Sequence, residues 1–265
     1  MDWRTHVDSI AWYHTFDLPG GITTPGLFDD RALAAKLPLP RSLKGRRCLD
    51  VAASDGFWSF ELARRGAEEV VSLDLPDASQ QDFWGARGTA EERNGGSGRA
   101  NQAFAIVKGA TGLDVQRVDG SVYDLADMDL GKFDFVFMGN ILLHLRDPIL
   151  ALQKVRTVTS GEFFSVEPVS LPQTVLRPFT PTGQFSVGDD NTFWTPNKRG
   201  HRRLVEAGGF NVVRQGGPVF QTLGKMTPKF PKRLPRTLHE LTFWLFTRQI
   251  GSATSWVGAR RHDLD

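Results

Sequence analysis

The sequence predicts an α/β domain with a doubly wound, mostly parallel seven-stranded sheet. Three observations lead to this prediction. Short apolar runs typical of buried strands alternate with helical segments along most of the chain. The first strand runs through a turn of small residues into a helix, and the next strand ends on an acid. The run 133–138 is almost continuously apolar, as expected for a parallel strand covered on both faces.

Length and composition indicate one domain with an addition at each end. The 265 residues divide into an N-terminal arm (1–44), a central domain (45–224) and a basic, aromatic C-terminal extension (225–265) expected to be helical. A net charge of +2 gives no general electrostatic argument for nucleic acid binding. The single cysteine, Cys48, excludes a disulfide framework and favours a reducing compartment. With no membrane-spanning run or signal-peptide pattern, we expect a cytoplasmic protein.

The segment 47–74 has the pattern of a binding site for an adenosine-containing cofactor. It predicts strands over 47–51 and 70–73 and a helix over 57–65. The turn before the helix directs unpaired backbone N–H groups at a ligand above the sheet. Asp74, at the end of the second strand, can bind both hydroxyls of a ribose.

The small residues of that turn decide between two cofactors. They are Ala52, Ala53, Ser54 and Gly56. A nicotinamide or flavin dinucleotide needs a Gly-x-Gly-x-x-Gly turn, which this chain lacks. Asp50 on the first strand suits a ligand with a cationic end, such as the sulfonium and ammonium groups of S-adenosylmethionine. An ordinary strand–helix turn without a ligand is the alternative.

The fourth strand, predicted over 133–138, leads through Gly139 and Asn140 into a loop that carries His144. Asp147 and Pro148 supply an N-cap and an N1 proline for the helix that follows. Doubly wound folds bind ligands at this edge of the sheet, so a neutral His144 could accept a proton from a substrate hydroxyl or amine. A histidine that only caps backbone groups or packs on the cofactor is an equal alternative.

The other segments complete the sheet and surround the site. We expect a third strand over 114–118, a fifth over 161–166, a helix over 198–207 that begins at Asn197, and a closing hairpin of 210–215 and 218–223. The segment 80–105, which includes Trp84, has the composition of a mobile loop. The aromatic segment 169–194 is expected to line an acceptor pocket. Its Asp189 and Asp190 are weak candidates for a metal site, and no metal ligands are assigned.

Three motifs together resemble one protein family. They are Trp12-Tyr13-His14 with Thr24-Pro25-Gly26, the run 48–62 with Asp55-Gly56-Phe57-Trp58, and Leu142-Leu143-His144-Leu145-Arg146-Asp147-Pro148. Over residues 10–225 the chain resembles class I S-adenosylmethionine-dependent methyltransferases, in the group related to tRNA wobble-uridine methyltransferases. The resemblance implies a Rossmann-like fold, S-adenosylmethionine as the cofactor and transfer of its methyl group.

The resemblance also assigns roles within the site. Ala52 and Ser54 stand at the first two glycines of the motif Asp/Glu-x-Gly-x-Gly-x-Gly. Ser121 would hydrogen-bond the adenine amino group and Val122 would pack on its ring. The cofactor-binding candidates are Trp12, Asp50, Ala52, Ala53, Ser54, Gly56, Asp74, Leu75, Ser121, Val122, Gly139 and Asn140. His144 is the candidate general base, with His14 as the alternative.

Departures from the wobble-uridine enzymes favour a small-molecule acceptor. No Arg-Lys-Gly-Pro run precedes Trp12, and Leu143 stands where those enzymes carry a tyrosine. We expect a hydroxyl or amine of a secondary metabolite or sugar to be methylated. Methylation of tRNA is the alternative, to which the five basic residues of 225–236 point. A binding protein that kept the fold without catalysis is a third hypothesis, and the extension is expected to pack on the domain or in a homodimer.

Overall fold

A computed structural model describes residues 3–76, 80–82, 90–185, 192–227 and 250–261; for Thr5 and for 90–99 it describes the backbone only. The strands are β1 (Asp17–Leu18), β2 (Ile22–Thr23), β3 (Phe28–Asp29), β4 (Arg47–Val51), β5 (Glu69–Asp74), β6 (Gln116–Asp119), β7 (Phe133–Gly139), β8 (Thr159–Pro168), β9 (Gly183–Phe185), β10 (Trp194–Pro196), β11 (Phe210–Leu223) and β12 (Ser252–Arg261). The α-helices are α1 (Arg31–Lys36), α2 (Phe57–Arg64), α3 (Ala90–Thr111), α4 (Pro148–Val158), α5 (Leu171–Leu176) and α6 (Lys198–Ala207). Three 3-10 helices span Trp3–Ser9, Val122–Asp127 and Leu142–His144.

Eight of the strands form one twisted sheet in the order β3-β11-β12-β8-β7-β4-β5-β6. The strands from β8 to β6 are parallel, whereas β12, β11 and β3 are antiparallel to their neighbours. From β4 the chain moves outward to β5 and β6, and it then returns to the other side of β4 as β7. The order therefore reverses between β4 and β7, and a doubly wound sheet opens a binding crevice at such a switch point.

The two faces of the sheet are covered by separate apolar layers. One layer contains α2, the described part of α3 and the N-terminal arm, and the other contains α4 and α6. Trp12 and Phe16 of the arm are each 1% exposed and pack in the first layer beside Phe57. The arm is therefore part of the core. None of the helices in the described ranges combines the length and apolar character needed to span a bilayer.

Local sequence signals account for the elements around the crevice. A buried pattern runs through β4 and β7, as their apolar sequences predict. Asp147 caps α4 by accepting a hydrogen bond from the Leu150 N–H at 2.9 Å, and Asn197 caps α6 by accepting one from the Gly200 N–H at 2.7 Å. The prediction of a mostly parallel α/β sheet is confirmed, with eight strands instead of seven because β3 of the arm pairs with β11.

The predicted closing hairpin is wrong. Residues 210–223 form the single bulged strand β11, and the strand that lies between β11 and β8 is β12, from the C-terminal extension. The boundary drawn after residue 224 therefore separates β12 from its own sheet, and residues 252–261 are extended instead of helical. The small residues of β12, such as Ala253 and Gly258, have a weak preference for strands. Its extended conformation therefore depends on pairing with β11 and β8 on either side.

The predicted mobile loop over 80–105 is also wrong for the greater part of its length. Residues from Ala90 onward belong to α3, which continues to Thr111. Ala103, Phe104 and Val107 of this helix are buried against the sheet. That packing stabilises a helix whose glycine-rich first half has a low intrinsic propensity. Trp84 lies outside the described residues.

Candidate functional site

A cavity of about 610 Å³ lies at the carboxyl edge of the sheet, above β4, β5, β6 and β7. All but one of the residues assigned from the sequence line it: Trp12, His14, Asp50, Ala52, Ala53, Ser54, Asp74, Leu75, Ser121, Val122, Gly139, Asn140 and His144. Gly56 does not line the cavity. The carboxyl ends of parallel strands thus bring distant segments of the chain to one place. The chemical roles assigned to these residues remain predictions.

The turn after β4 has an alternating left-handed backbone. The φ angles are 59° at Ala52, 52° at Ser54 and 84° at Gly56. This conformation is natural for glycine but costs an L-residue about 1–2 kcal/mol. Hydrogen bonds hold the turn: the Ala53 N–H donates to the Leu73 carbonyl at 3.0 Å, and the Ser54 N–H donates to Asp74 at 2.5 Å. The turn keeps the shape expected of a glycine motif without its first two glycines.

Two carboxylates lie at the ends of adjacent strands. Asp50 is 1% exposed and accepts a hydrogen bond from the Ser59 hydroxyl at 2.6 Å. Burial raises the pKa of Asp50 to about 7. Asp74 accepts from the Ser54 and Leu75 backbone N–H groups, and burial likewise raises its pKa. Their combined charge suits a ligand with cationic and hydroxyl groups.

Arg117 of β6 also lines the cavity and was missed from the sequence. Its Nη1 donates to the Ser54 carbonyl at 2.6 Å, and its Nη2 lies 3.7 Å from Asp74. The guanidinium also lies over the Phe104 ring at 5.3 Å. Arg117 thus supports the left-handed turn from the side opposite the arm. The sequence signal that could have identified Arg117 is its charge, which is unusual within a predicted strand such as 114–118.

Ser121 and Val122, in the turn after β6, line the cavity, and their contacts with adenine remain predictions. Ser121 accepts a hydrogen bond from the Tyr123 N–H at 3.2 Å and caps the short helix that begins at Val122. Its hydroxyl hydrogen can still be donated to a ligand, because the hydroxyl acts as acceptor in that contact. Val122 is buried at the wall of the cavity.

A second residue missed from the sequence, Asp82, closes one side of the cavity. It accepts hydrogen bonds of 2.8 Å from both the Tyr123 hydroxyl and the Arg146 N–H. The same hydroxyl accepts from the Asp147 N–H at 3.0 Å. Asp82 therefore connects the segment after β5 to the short helix Val122–Asp127 and to the loop after β7. Within the segment 80–105, Asp82 has no sequence signal that distinguishes it.

The loop that carries His144 is fixed by a buried acid. Glu167 at the end of β8 is 1% exposed and accepts from the Ile141 and Leu142 N–H groups at 3.1 and 3.2 Å. Burial raises its pKa to about 8. Asn140 has a left-handed φ of 55°, and its buried Oδ1 has no hydrogen-bond partner among the described residues. Strain and an unpaired acceptor together at a strand end are typical of a functional position.

His14 is placed differently from a free general base. It is 4% exposed, with Nδ1 2.5 Å from Asp55 Oδ1 and Nε2 3.5 Å from Asp30 Oδ2. Burial lowers the pKa of His14, but the carboxylates of Asp55 and Asp30 outweigh burial and raise it. An imidazolium held between two carboxylates is a poor proton acceptor. The geometry therefore favours His144 for the role of base.

The segment 169–194 contributes less than expected, since none of its described residues lines the cavity. Phe193 and Trp194 instead brace the loop beside it: the Phe193 N–H donates to the Leu143 carbonyl and Trp194 Nε1 donates to the Leu145 carbonyl. Asp189 and Asp190 lie outside the described residues. Within those described, no group of histidine, cysteine or acidic side chains is arranged to hold a metal ion.

Comparison with known proteins shows the fold. No family model and no curated protein matches the chain. It is similar to magnesium protoporphyrin IX methyltransferase from Synechocystis PCC 6803, which was crystallised with bound SAH, at 16% identity and a TM-score of 0.51, over 87% of this chain and 81% of that one. It is also similar to 1,6-didemethyltoxoflavin-N1-methyltransferase from Burkholderia thailandensis, at 15% identity and a TM-score of 0.50, over 83% and 72% of the two chains.

A third solved structure of the same fold is named as a cyclase of the 4+2 type. It is 15% identical, with a TM-score of 0.52, over 87% of this chain and 79% of that one. At these identities the likeness shows the fold alone, which is that of the class I S-adenosylmethionine-dependent methyltransferases. Because one fold hosts several reactions, activity has to be argued from the cavity.

Two glycines allow a matched test of the turn. Gly56 and Gly66 have φ angles of 84° and 81°, but a Cβ at Gly56 would lie 2.6 Å from the Phe104 ring whereas one at Gly66 meets nothing within 4 Å. Gly66→Ala should lower the free energy of unfolding by about 1–2 kcal/mol from backbone strain. Gly56→Ala should cost about 1–3 kcal/mol more from overpacking. Urea denaturation measures the free energy of unfolding of both variants. Equal losses would show that the Phe104 ring moves aside for the new Cβ without an energetic cost.

Proposed function

We propose that this protein transfers a methyl group from S-adenosylmethionine to a small-molecule acceptor bound in the same cavity. The observation that carries the proposal is the pair of carboxylates Asp50 and Asp74 on either side of the left-handed turn, at the switch point of the sheet. A cavity of about 610 Å³ has the size of ordinary ligand sites.

The side chains present fit this cofactor better than a dinucleotide. Asp74 would take the ribose hydroxyls, Asp50 would face the cationic end, and the unpaired Asn140 Oδ1 offers an acceptor for an ammonium group. Three carboxylates, those of Asp50, Asp74 and Asp82, line the cavity, and they oppose the binding of a pyrophosphate. Arg117 does not reverse this balance, because it lies against Asp74 and the Ser54 carbonyl.

Bound there, S-adenosylmethionine would supply an electrophilic methyl group on a sulfonium. The work of the protein is then to align donor and acceptor and to exclude water. Trp12, 1% exposed and donating its Nε1–H to the Val7 carbonyl at 2.8 Å, forms a rigid part of the wall. Glu167 holds the loop from which His144 lines the cavity, and His144 would take a proton from the acceptor.

The acceptor side of the cavity is aromatic and apolar. Tyr13, Leu27 and Met226 line it together with Trp12, which favours a planar or apolar acceptor. The names of two similar structures give magnesium protoporphyrin IX and 1,6-didemethyltoxoflavin as their substrates. We infer a hydroxyl or amine of a secondary metabolite or sugar. Modification of tRNA is the second candidate, on the family resemblance; a cytoplasmic location and a homodimer also remain predictions.

Calorimetric titration with S-adenosylmethionine and S-adenosylhomocysteine tests the cofactor. Both should bind, and NAD should not. Because Asp50 is protonated below its pKa of about 7, its attraction for the sulfonium appears only as the pH rises past that value. Affinity for S-adenosylmethionine should therefore rise about tenfold between pH 6 and 8, and more steeply than that for the product, which lacks the sulfonium charge.

The matched variant is Asp50→Asn, in which the pH profiles of the two ligands should become parallel. Parallel profiles in the wild type would remove Asp50 from the sulfonium site. Absence of binding by both ligands at millimolar concentration would end the proposal as a whole. Binding of tRNA that falls steeply with salt would favour the second candidate.

A second experiment separates catalysis by His144 from packing. Incubation with labelled S-adenosylmethionine and pooled metabolites first identifies an acceptor, and a methylated product would eliminate the hypothesis of a binding protein without catalysis. With that acceptor, His144→Ala should lower turnover about 10²–10⁴-fold and leave cofactor affinity nearly unchanged. If His144 only braces the loop, the variant should lose thermal stability and cofactor affinity together. The exposed His6 provides a control, and His6→Ala should change neither quantity.

A further inference from the structure

The N-terminal arm and the cofactor turn meet at one buried side chain, Asp55. Its Oδ2 accepts hydrogen bonds from the backbone N–H groups of Tyr13 at 3.1 Å and His14 at 2.7 Å. Its Oδ1 lies 2.5 Å from Nδ1 of the His14 ring. Asp55 is 0% exposed, so these contacts are shielded from water. Two motifs that lie 41 residues apart in the chain are therefore the two halves of one contact.

The contact continues into the sheet on the other side of His14. Nε2 of His14 lies 3.5 Å from Asp30, which is 0% exposed and accepts a hydrogen bond from Gln221 Nε2 of β11 at 3.2 Å. The ring also packs against Phe57 at the start of α2, with centroids 5.2 Å apart. The imidazole is thus fixed by the arm, by β11 and by the turn at once. Little freedom remains for it to approach a substrate.

The turn that Asp55 belongs to needs such support. Ala52 and Ser54 take left-handed φ angles that L-residues rarely adopt. Conformations of this kind persist only when the surroundings hold them. The β5 side supplies the hydrogen bonds from Ala53 to Leu73 and from Ser54 to Asp74. The arm side supplies the contacts of Asp55 with Tyr13 and His14.

We propose that the His14–Asp55 contact is a clasp by which the N-terminal arm holds the turn 52–56 in its left-handed conformation, so that His14 is a positioning residue of the cofactor site. The inference rests on the proposed function in one respect, since the turn is taken to bind S-adenosylmethionine. It also explains how the turn can lack the first two glycines of the motif. Contacts with the arm stabilise the left-handed backbone that glycine would adopt without steric cost.

The charges around His14 agree with this role. Asp55 and Asp30 face its two ring nitrogens, Asp50 lies further off, and the Tyr13 ring meets its edge at 4.8 Å. A cationic imidazole can donate from both nitrogens, as the two carboxylates require. Removing it would leave buried carboxylates without their counter-charge.

The test is a double-variant cycle on cofactor affinity. His14→Ala should weaken S-adenosylmethionine binding about tenfold, because the turn no longer rests in its binding conformation. Glycine at position 54 adopts the left-handed angle without steric cost. In the His14→Ala background, Ser54→Gly should therefore raise the affinity for S-adenosylmethionine at least about threefold. Its effect should be larger there than in the wild-type background.

A second buried histidine provides the matched control. His201 is 0% exposed and lies between the hydroxyls of Ser165 at 3.0 Å and Ser255 at 2.6 Å, and it does not line the cavity. His201→Ala should lower the melting temperature and leave the affinity of the folded protein unchanged. Equal loss of affinity in both alanine variants, or the lack of rescue by Ser54→Gly, would overturn the clasp.

Two isosteric variants serve if His14→Ala does not fold. Asn carries its amide N–H near the place of Nδ1, so His14→Asn should keep the bond to Asp55 and retain more of the affinity than His14→Gln, although neither variant supplies the positive charge. Gln carries it near the place of Nε2, so His14→Gln should bind the cofactor more weakly. The opposite order would contradict the inference.

Amide hydrogen exchange tests the clasp without any ligand. The amides of Ala53, Ser54 and Gly56 should exchange faster in His14→Ala or His14→Gln than in the wild type, and no faster in His201→Ala. Unchanged exchange would remove the clasp even if the wild type binds S-adenosylmethionine. Failure of the wild type to bind, with faster exchange in the variant, would remove the proposed function and leave the clasp standing.

Discussion

The left-handed turn between β4 and α2 is the constraint on which the arrangement of the site depends. Its backbone directs the N–H of Ser54 to Asp74 and buries Asp55 beneath the arm, so a change of φ at one residue would displace contacts on both sides. Such a backbone is strained for Ala52 and Ser54, and conformations of this kind persist only where the surrounding contacts hold them. Two hydrogen bonds on the β5 side and the histidine contact on the arm side hold one short turn.

Buried acids are concentrated at the same edge of the sheet. Asp30, Asp50, Asp55 and Glu167 are each at most 1% exposed. Burying a carboxylate is costly unless donors surround it, and each of these accepts from backbone N–H groups, a serine, a histidine or a glutamine, while Asp30 Oδ1 has no hydrogen-bond partner among the described residues. Burial raises the pKa of Asp30, Asp50 and Glu167, and buried acids with raised pKa values are typical of functional sites. His201, buried between two serines away from the cavity and with its pKa lowered by burial to about 3, shows the contrasting case of a neutral structural residue.

The sequence predicts those parts of the site that depend on local signals. β4, β7, the cap at Asp147 and the residues at the strand ends were found because apolar runs, caps and strand ends are each encoded within a few residues. β12 and α3 were not, since small residues and glycines give weak local preferences and packing decides. The contacts of Arg117, Asp82 and His14 could not be predicted, because each joins segments that only the folded sheet brings together. For His14 this changed the interpretation, from alternative base to positioning residue.

The hypothesis of a protein that kept the fold without catalysis is motivated by Ala52 and Ser54, which stand at the first two glycines of the motif. It requires that the turn cannot take the left-handed shape without those glycines. Ala52 and Ser54 have φ angles of 59° and 52°, so the shape is present in the chain despite the substitutions. The conformational freedom of glycine is one way to reach a left-handed turn, and contacts from the surroundings are another.

A turn held by contacts is also coupled to the elements that hold it. The N-terminal arm is one of these elements, and its Trp12 and Tyr13 line the cavity. Under the proposed function, the same segment would set the shape of both the donor and the acceptor sides of the cavity, and cofactor binding would depend on the fit of the acceptor.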